Sequence, residues 1–257
     1  MSEGQWQLVY NAFSFVFAAM GAAAVFFILA RRFVAPAYRM ALTVSTLVVT
    51  VAGYHYLRIF DSWANGFERL TGGDYQALGT FNEGYRYVDW LLTVPLLLAE
   101  LVLLLGLAKK VERSMIIRLG SAAALMIVLG YPGEVAGDAA VKWAWWIAAM
   151  IPFAYILYVL FTEFGRAVLD QTPRIAGMLK GMRSLLVVSW FFYPVAYLVP
   201  LTGLDDATAE VIRQVGYSVS DIIAKALFGL ILYFVAKAKS EQDGYDHTAD
   251  ARQPSAA

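Results

Sequence analysis

The sequence predicts an all-α membrane protein, a seven-transmembrane-helix bundle. It would form one domain over residues 1–240, followed by a polar cytoplasmic tail at 241–257 expected to be disordered. Three observations carry this reading. The 257 residues are 60% hydrophobic and only 16% charged, with a mean hydropathy of +0.59, whereas soluble domains carry about 25% charge. Seven mostly apolar stretches have the roughly 20 residues that a helix needs to cross the hydrocarbon core. Together they use up the chain, so no length is left for a soluble domain.

The stretches run at 7–31, 37–61, 84–108, 114–131, 141–164, 183–203 and 209–237. The first ends at Arg31 and Arg32. The second holds His55, one of two histidines in the chain. The third, YRYVDWLLTVPLLLAE at 85–100, carries Arg86, Asp89, Thr93 and Glu100. The fifth and sixth are rich in aromatic residues (Trp145, Trp146, Phe153, Trp190, Tyr193, Tyr197). Pro95, Pro152 and Pro194 lie inside stretches, where membrane helices tolerate kinks. The seventh contains Asp221 and Lys225.

Orientation follows from the basic residues. The loops after the first, third and fifth stretches and the C-terminal end hold fourteen, from Arg31 to Arg252. The opposite side holds five: Arg58, Arg69, Arg86, Lys142 and Arg213. The excess of Lys and Arg on cytoplasmic loops places the C-terminus inside and the N-terminus outside. The start, MSEGQWQ, has no basic segment, so no cleaved signal peptide is expected. The absence of cysteine excludes disulfides, thiolate metal sites and cysteine nucleophiles. No metal site is expected, and a net charge of zero without a basic patch gives no reason to expect nucleic acid as a partner.

Charged groups at membrane depth are costly and usually functional. Asp221 and Lys225 stand at i and i+4, one turn apart on one helix face. A desolvated amine beside its own counter-ion can condense with an aldehyde, so Lys225 is a candidate for Schiff-base chemistry. Arg86, Asp89 and Thr93 share a face by their i+3 and i+4 spacings. Glu100 returns to that face eleven residues after Asp89, about 16 Å further along. Two carboxylates at two depths on one face suit a proton relay. The competing explanation, polar residues holding neighbouring helices together, fits one carboxylate better than it fits four ionisable groups. His55 is either hydrogen-bonded structure or a partner of an acid such as Asp89.

The motifs RYVDWLLTVPLL, WFFYP and DIIAK resemble those of the microbial rhodopsins, specifically the proteorhodopsin and xanthorhodopsin group of light-driven proton pumps, over residues 6–238. The resemblance implies all-trans retinal in the bundle core, bound as a protonated Schiff base at Lys225. It implies Asp89 as counter-ion and proton acceptor, Asp221 as second counter-ion, Glu100 as proton donor and His55 as the acceptor's partner. Arg86 and Thr93 would serve gating and hydrogen bonding. Trp90, Leu97, Gly130, Trp146, Trp190, Tyr193, Pro194 and Tyr197 would line the retinal pocket. Outward proton pumping is the implied function, in a bacterial inner membrane and as a trimer or pentamer. A photosensory protein signalling through a partner is the alternative.

Two departures from the group matter. Pumps with an antenna carotenoid carry a glycine on the fifth helix that opens a window beside the retinal ring. Alignment on IPFAYILYVL puts Trp146 there, so no antenna is expected. Arg213 stands where archaeal pumps carry a proton-release glutamate, which argues against fast early release.

Overall fold

The computed structural model describes residues 1–79 and 81–247. Seven long helices form the bundle: α1 (Glu3–Ala30), α2 (Arg39–Asn65), α3 (Gly84–Leu103), α4 (Lys109–Glu134), α5 (Ala139–Phe161, extended by Glu163–Leu169), α6 (Pro173–Leu198) and α7 (Asp206–Gln242). Six are long and apolar enough to cross a membrane. The seventh, α3, packs Arg86, Asp89 and Glu100 into 20 residues and buries all three. Sequential helices are neighbours from α1 to α5, and α7 packs against α1, α2 and α6. The outward faces are apolar, with Phe15, Ile151 and Val188 more than 60% exposed. That is the pattern of a surface meeting lipid.

Helix starts follow local chemistry. Ser2 accepts from the Gln5 amide while the Gln5 side chain accepts from Ser2 N, closing a capping box on α1. Asp138 and Asp205 cap α5 and α7 by accepting from Val141 N and Thr208 N. Pro173 opens α6, where its missing N–H costs nothing.

The helices run past the apolar stretches, as at the starts of two of them. α4 begins at Lys109 rather than 114, and α6 at Pro173 rather than 183. These added turns are amphipathic: Ile175, Leu179 and Met182 are buried while Arg174 and Lys180 face out. A search for continuous apolar runs stops at such charges although the helix does not. Several basic residues assigned to loops, among them Lys109, Arg118 and Lys180, therefore sit on helix ends.

The loop after α2 holds a two-stranded antiparallel hairpin, β1 (Phe67–Arg69) and β2 (Tyr75–Ala77), which the hydropathy pattern did not signal. Gly73 at φ +95° makes its turn, a conformation that suits glycine. The hairpin is pinned to the N-terminus: Tyr75 N donates to Met1 O at 2.8 Å, and the Trp6 ring stacks on Tyr75 at 4.5 Å.

The expected tail boundary at residue 240 also shifts. α7 continues to Gln242, Tyr38 donates to Asp243 at 2.7 Å, and Arg39 donates to the Tyr245 hydroxyl at 2.8 Å. Residues 241–247 are therefore held against the bundle by polar contacts that a composition reading passes over. Residues 248–257, the rest of that expectation, lie outside the described residues.

Candidate functional site

The centre of the bundle is an ionic triad. Lys225 donates from Nζ to Asp89 Oδ2 at 2.5 Å and to Asp221 Oδ1 at 2.9 Å, and all three groups are at most 2% exposed. Taking three charges out of water is expensive and is tolerated only when they face each other and their remaining valences are met. α7 places its two members through a π-helical turn at Ile222–Leu227, which contains Lys225. Such widened turns are uncommon and recur at functional sites.

The two carboxylates have unlike surroundings. Asp221 accepts from Tyr193 at 2.6 Å, Tyr56 at 2.7 Å and Trp90 at 3.2 Å, and Arg86 Nη1 lies 4.0 Å from its Oδ2. These donors all stabilise its ionised form. Asp89 has Lys225 on Oδ2 and no hydrogen-bond partner at all on its buried Oδ1. Of the two, Asp89 is the one with an oxygen open to a proton.

Thr93 donates to the backbone carbonyl of Asp89 at 2.8 Å rather than to its carboxylate. His55 is buried on α2, yet its Nδ1 pairs with Val51 O one turn back at 3.0 Å. Among the described contacts this ring bonds its own helix, the first of the two readings the sequence leaves open for it. Glu100, fully buried three turns along α3 from Asp89, accepts from Ser45 Oγ at 2.6 Å and has no partner on Oε1. Ser45, a small polar residue in the apolar α2 run, was the only trace of this contact in the sequence.

Beside the triad lies an apolar slot. It is lined by Trp90, Leu97, Gly130, Trp146, Trp190, Tyr193, Pro194 and Tyr197, together with Lys225 and Asp221. Met126, Ala149, Phe153 and Tyr217 were not anticipated; pocket-facing and lipid-facing apolar residues look alike in a sequence. Gly130 keeps the slot narrow but open, since a methyl there would come within 3.3 Å of the Tyr87 ring. Trp146 lies between α5 and α6, donating from Nε1 to Pro194 O at 3.0 Å. A flat hydrophobic molecule fits such a slot, and an aldehyde at its end would meet the Lys225 amine.

From the triad toward the N-terminal end of the bundle runs a continuous polar network. Arg86 donates to Tyr56 at 3.0 Å and to Gln214 Oε1 at 2.5 Å. Gln214 Nε2 in turn donates to Glu83 at 2.7 Å and Glu210 at 2.9 Å. Arg213 binds Glu83 at 2.7 Å, Glu210 at 2.5 Å, and Glu134. Tyr56, Gln214 and Glu134 were not singled out from the sequence, where each reads as an ordinary surface or interface residue. No group of three or more metal-ligating side chains occurs among the described residues.

Seven membrane-spanning helices around a buried lysine, held between two carboxylates beside an aromatic slot, define a multi-pass membrane protein with an ionic core. Comparison with known proteins makes this specific. The model of the bacteriorhodopsin-like protein family matches residues 8–239, and the chain belongs to that family. Green-light absorbing proteorhodopsin from Gamma-proteobacterium EBAC31A08 is 32% identical over 234 residues, 90% of this chain and 88% of that protein. The crystal structure of xanthorhodopsin, described as a light-driven ion pump with dual chromophore, superposes with a TM-score of 0.90 at 48% identity. It covers 96% of this chain and 98% of that one. A thermophilic rhodopsin also gives 0.90, at 46% identity, with 95% and 98% covered.

Proposed function

We propose that the protein is a light-driven outward proton pump with all-trans retinal attached at Lys225. The observation that carries this is the asymmetry of the triad: one acid saturated by donors, the other with an open buried oxygen, and a third carboxylate in reserve along α3. When bound, retinal would be joined to Lys225 Nζ, leaving the cationic charge on that lysine nitrogen, and would supply a change of shape on absorbing light.

The residues then divide the work. Asp89 and Asp221 neutralise the cation at Lys225 Nζ. Asp89 takes the proton that leaves this nitrogen, because Oδ1 is free and Asp221 is held ionised by Tyr56, Tyr193 and Trp90. Glu100, met only by Ser45, returns a proton to the same nitrogen from the opposite side. Arg86 separates Asp221 from the outer network. His55 acts on Asp89 as a neighbouring dipole or charge. Direction comes from the order in which the acceptor and the donor exchange with Lys225. With the basic ends of the helices cytoplasmic, the N-terminus, β1 and β2 lie outside, in a bacterial inner membrane. The family resemblance supports a trimer or pentamer.

In Glu100→Gln, colour should be retained while decay of the deprotonated state slows roughly 10²-fold, the usual scale of one proton-transferring side chain. Flash spectroscopy at two pH values measures this, and an unchanged decay removes Glu100 from the relay. The overall reading is tested by light-induced pH change in unbuffered cells. External acidification that disappears with a protonophore supports pumping, and colour without pH change points to a sensor. Trp146 occupies the window side of the slot, so an added hydroxylated carotenoid should transfer no excitation energy to retinal. An excitation spectrum carrying carotenoid bands would refute this.

A further inference from the structure

The end of the bundle assigned above to the cytoplasm holds a buried cation that the relay from Glu100 to Lys225 does not use. Lys239 lies in the last turn of α7 and is only 7% exposed. Its Nζ donates to Leu104 O and to Gln171 Oε1, each at 2.8 Å, and the Tyr38 ring faces it at 5.3 Å. Both acceptors are uncharged, and among the described residues no carboxylate pairs with it. Asp243, one turn further along, accepts from Tyr38 at 2.7 Å, and Glu112 of α4 is paired with Lys109. Drawing a lysine out of water without an anion is costly, and an apolar side chain at this position would avoid that cost.

The partners of Lys239 account for its position. Leu104 ends α3, where unpaired carbonyls attract a cation. Gln171 belongs to the short link between α5 and α6, and its Nε2 donates to Leu105 O at 3.3 Å. Next to it, Thr172 donates to Gln242 Oε1 at 2.8 Å. One amine thus ties α7 both to the end of α3 and to the α5–α6 link. Glu100 stands one turn before Leu104, about 6 Å along α3. The hydrogen bonding of Glu100 stops at Ser45, and its Oε1 has no partner. The apolar cluster at this end includes Leu42, Leu101, Leu105, Leu179 and Val235, all buried. Ser240, beside Lys239 in sequence, is engaged with Ala35 N and Ala236 O. A proton bound for Glu100 from the cytoplasm therefore meets an apolar plug that Lys239 clamps shut.

We infer that Lys239 is a positioning residue for proton uptake: it locks the ends of α3, α7 and the α5–α6 link over Glu100 and keeps cytoplasmic water from that carboxyl group. The lock opens when Nζ exchanges Leu104 O and Gln171 Oε1 for water. A cytoplasmic proton then re-forms the O–H bond that Glu100 lost in giving its proton to Lys225 Nζ. While closed, the lock also sets a positive charge across the entrance, which repels a hydrated proton. The role in uptake rests on the pump reading, whereas closure of this end in the dark does not.

The full-length, retinal-loaded protein in lipid vesicles allows the two to be separated. Transferred to heavy water in the dark, it should exchange the Glu100 carboxyl proton slowly. The exchange is read as a shift of the infrared C=O band that is missing in Glu100→Gln. In Lys239→Met and in Gln171→Leu it should be roughly 10-fold faster, the effect of one lost charge-assisted hydrogen bond on a local opening. Retained colour reports folding, and if Lys239→Met does not fold, Gln171→Leu alone carries the test. Exchange no faster in the variants, or already complete in the wild type on mixing, overturns the inference. A lower melting temperature with unaltered exchange would reduce Lys239 to a cap on α3. After a flash, the Glu100 band should recover faster in both variants by a similar factor, while its loss keeps the wild-type rate. Recovery at the wild-type rate removes Lys239 from uptake. Faster dark exchange in the variants of a protein that moves no protons in light would leave the lock standing and sink the pump reading instead.

Discussion

Asp89→Asn should abolish light-driven proton movement while the protein remains coloured. The variant replaces the acid that has an unpartnered buried oxygen beside Lys225 by an amide that cannot accept the proton leaving Lys225. Asp221 does not substitute for it, because Tyr56, Tyr193, Trp90 and Arg86 all favour its ionised form. Loss of a proton-transferring side chain removes roughly 10²–10⁴-fold of a rate, so external acidification should fall below detection. The absorption band should move to longer wavelength, since one of two anions near the Lys225 nitrogen is gone. An unaltered light-driven pH change in Asp89→Asn cells would remove Asp89 from the acceptor role.

Lys225→Ala should yield a colourless protein, since it removes the only amine lining the slot. A second consequence is structural. Asp89 and Asp221, each fully buried, would lose their shared cation, and breaking a buried pair from one side costs about 3–5 kcal/mol. Expression and thermal stability should therefore fall in Lys225→Ala. Both should recover in Lys225→Ala/Asp89→Asn, which withdraws the unpaired anion as well. Spectra after retinal addition and melting curves of the two variants check this. A single variant as stable as the wild type would mean that the triad holds fewer charges than its geometry implies.

Much of this site was legible because a membrane makes polar residues conspicuous. Asp89, Glu100, Asp221 and Lys225 each interrupt an apolar run, and helical spacing puts them on buried faces. The structure brings Asp89, Asp221 and Lys225 into one contact and leaves Glu100 apart with Ser45. What stayed hidden was pairing between helices. Nothing in GYHYLR says that Tyr56, and not His55, reaches the central acids. Nor does Arg213, read alone as a residue in place of a glutamate, disclose one carboxylate from its own helix and two from other parts of the chain. The hairpin β1–β2 escaped because three-residue strands are too short to show an alternation.

The π-helical turn at Ile222–Leu227 has a further effect on how α7 is held at its two ends. An α-helix advances about 100° per residue, so one additional residue in a turn resets the rotation of everything beyond it. Before that turn, Arg213, Gln214 and Tyr217 are oriented toward the outer carboxylates. After it, Lys239 Nζ lies 2.8 Å from both Leu104 O and Gln171 Oε1, closing the far end of α3. The turn works as a phase-shifter between two docking interfaces. It lets each end of α7 seat in its own register, with Lys225 inside the adjustable segment between them.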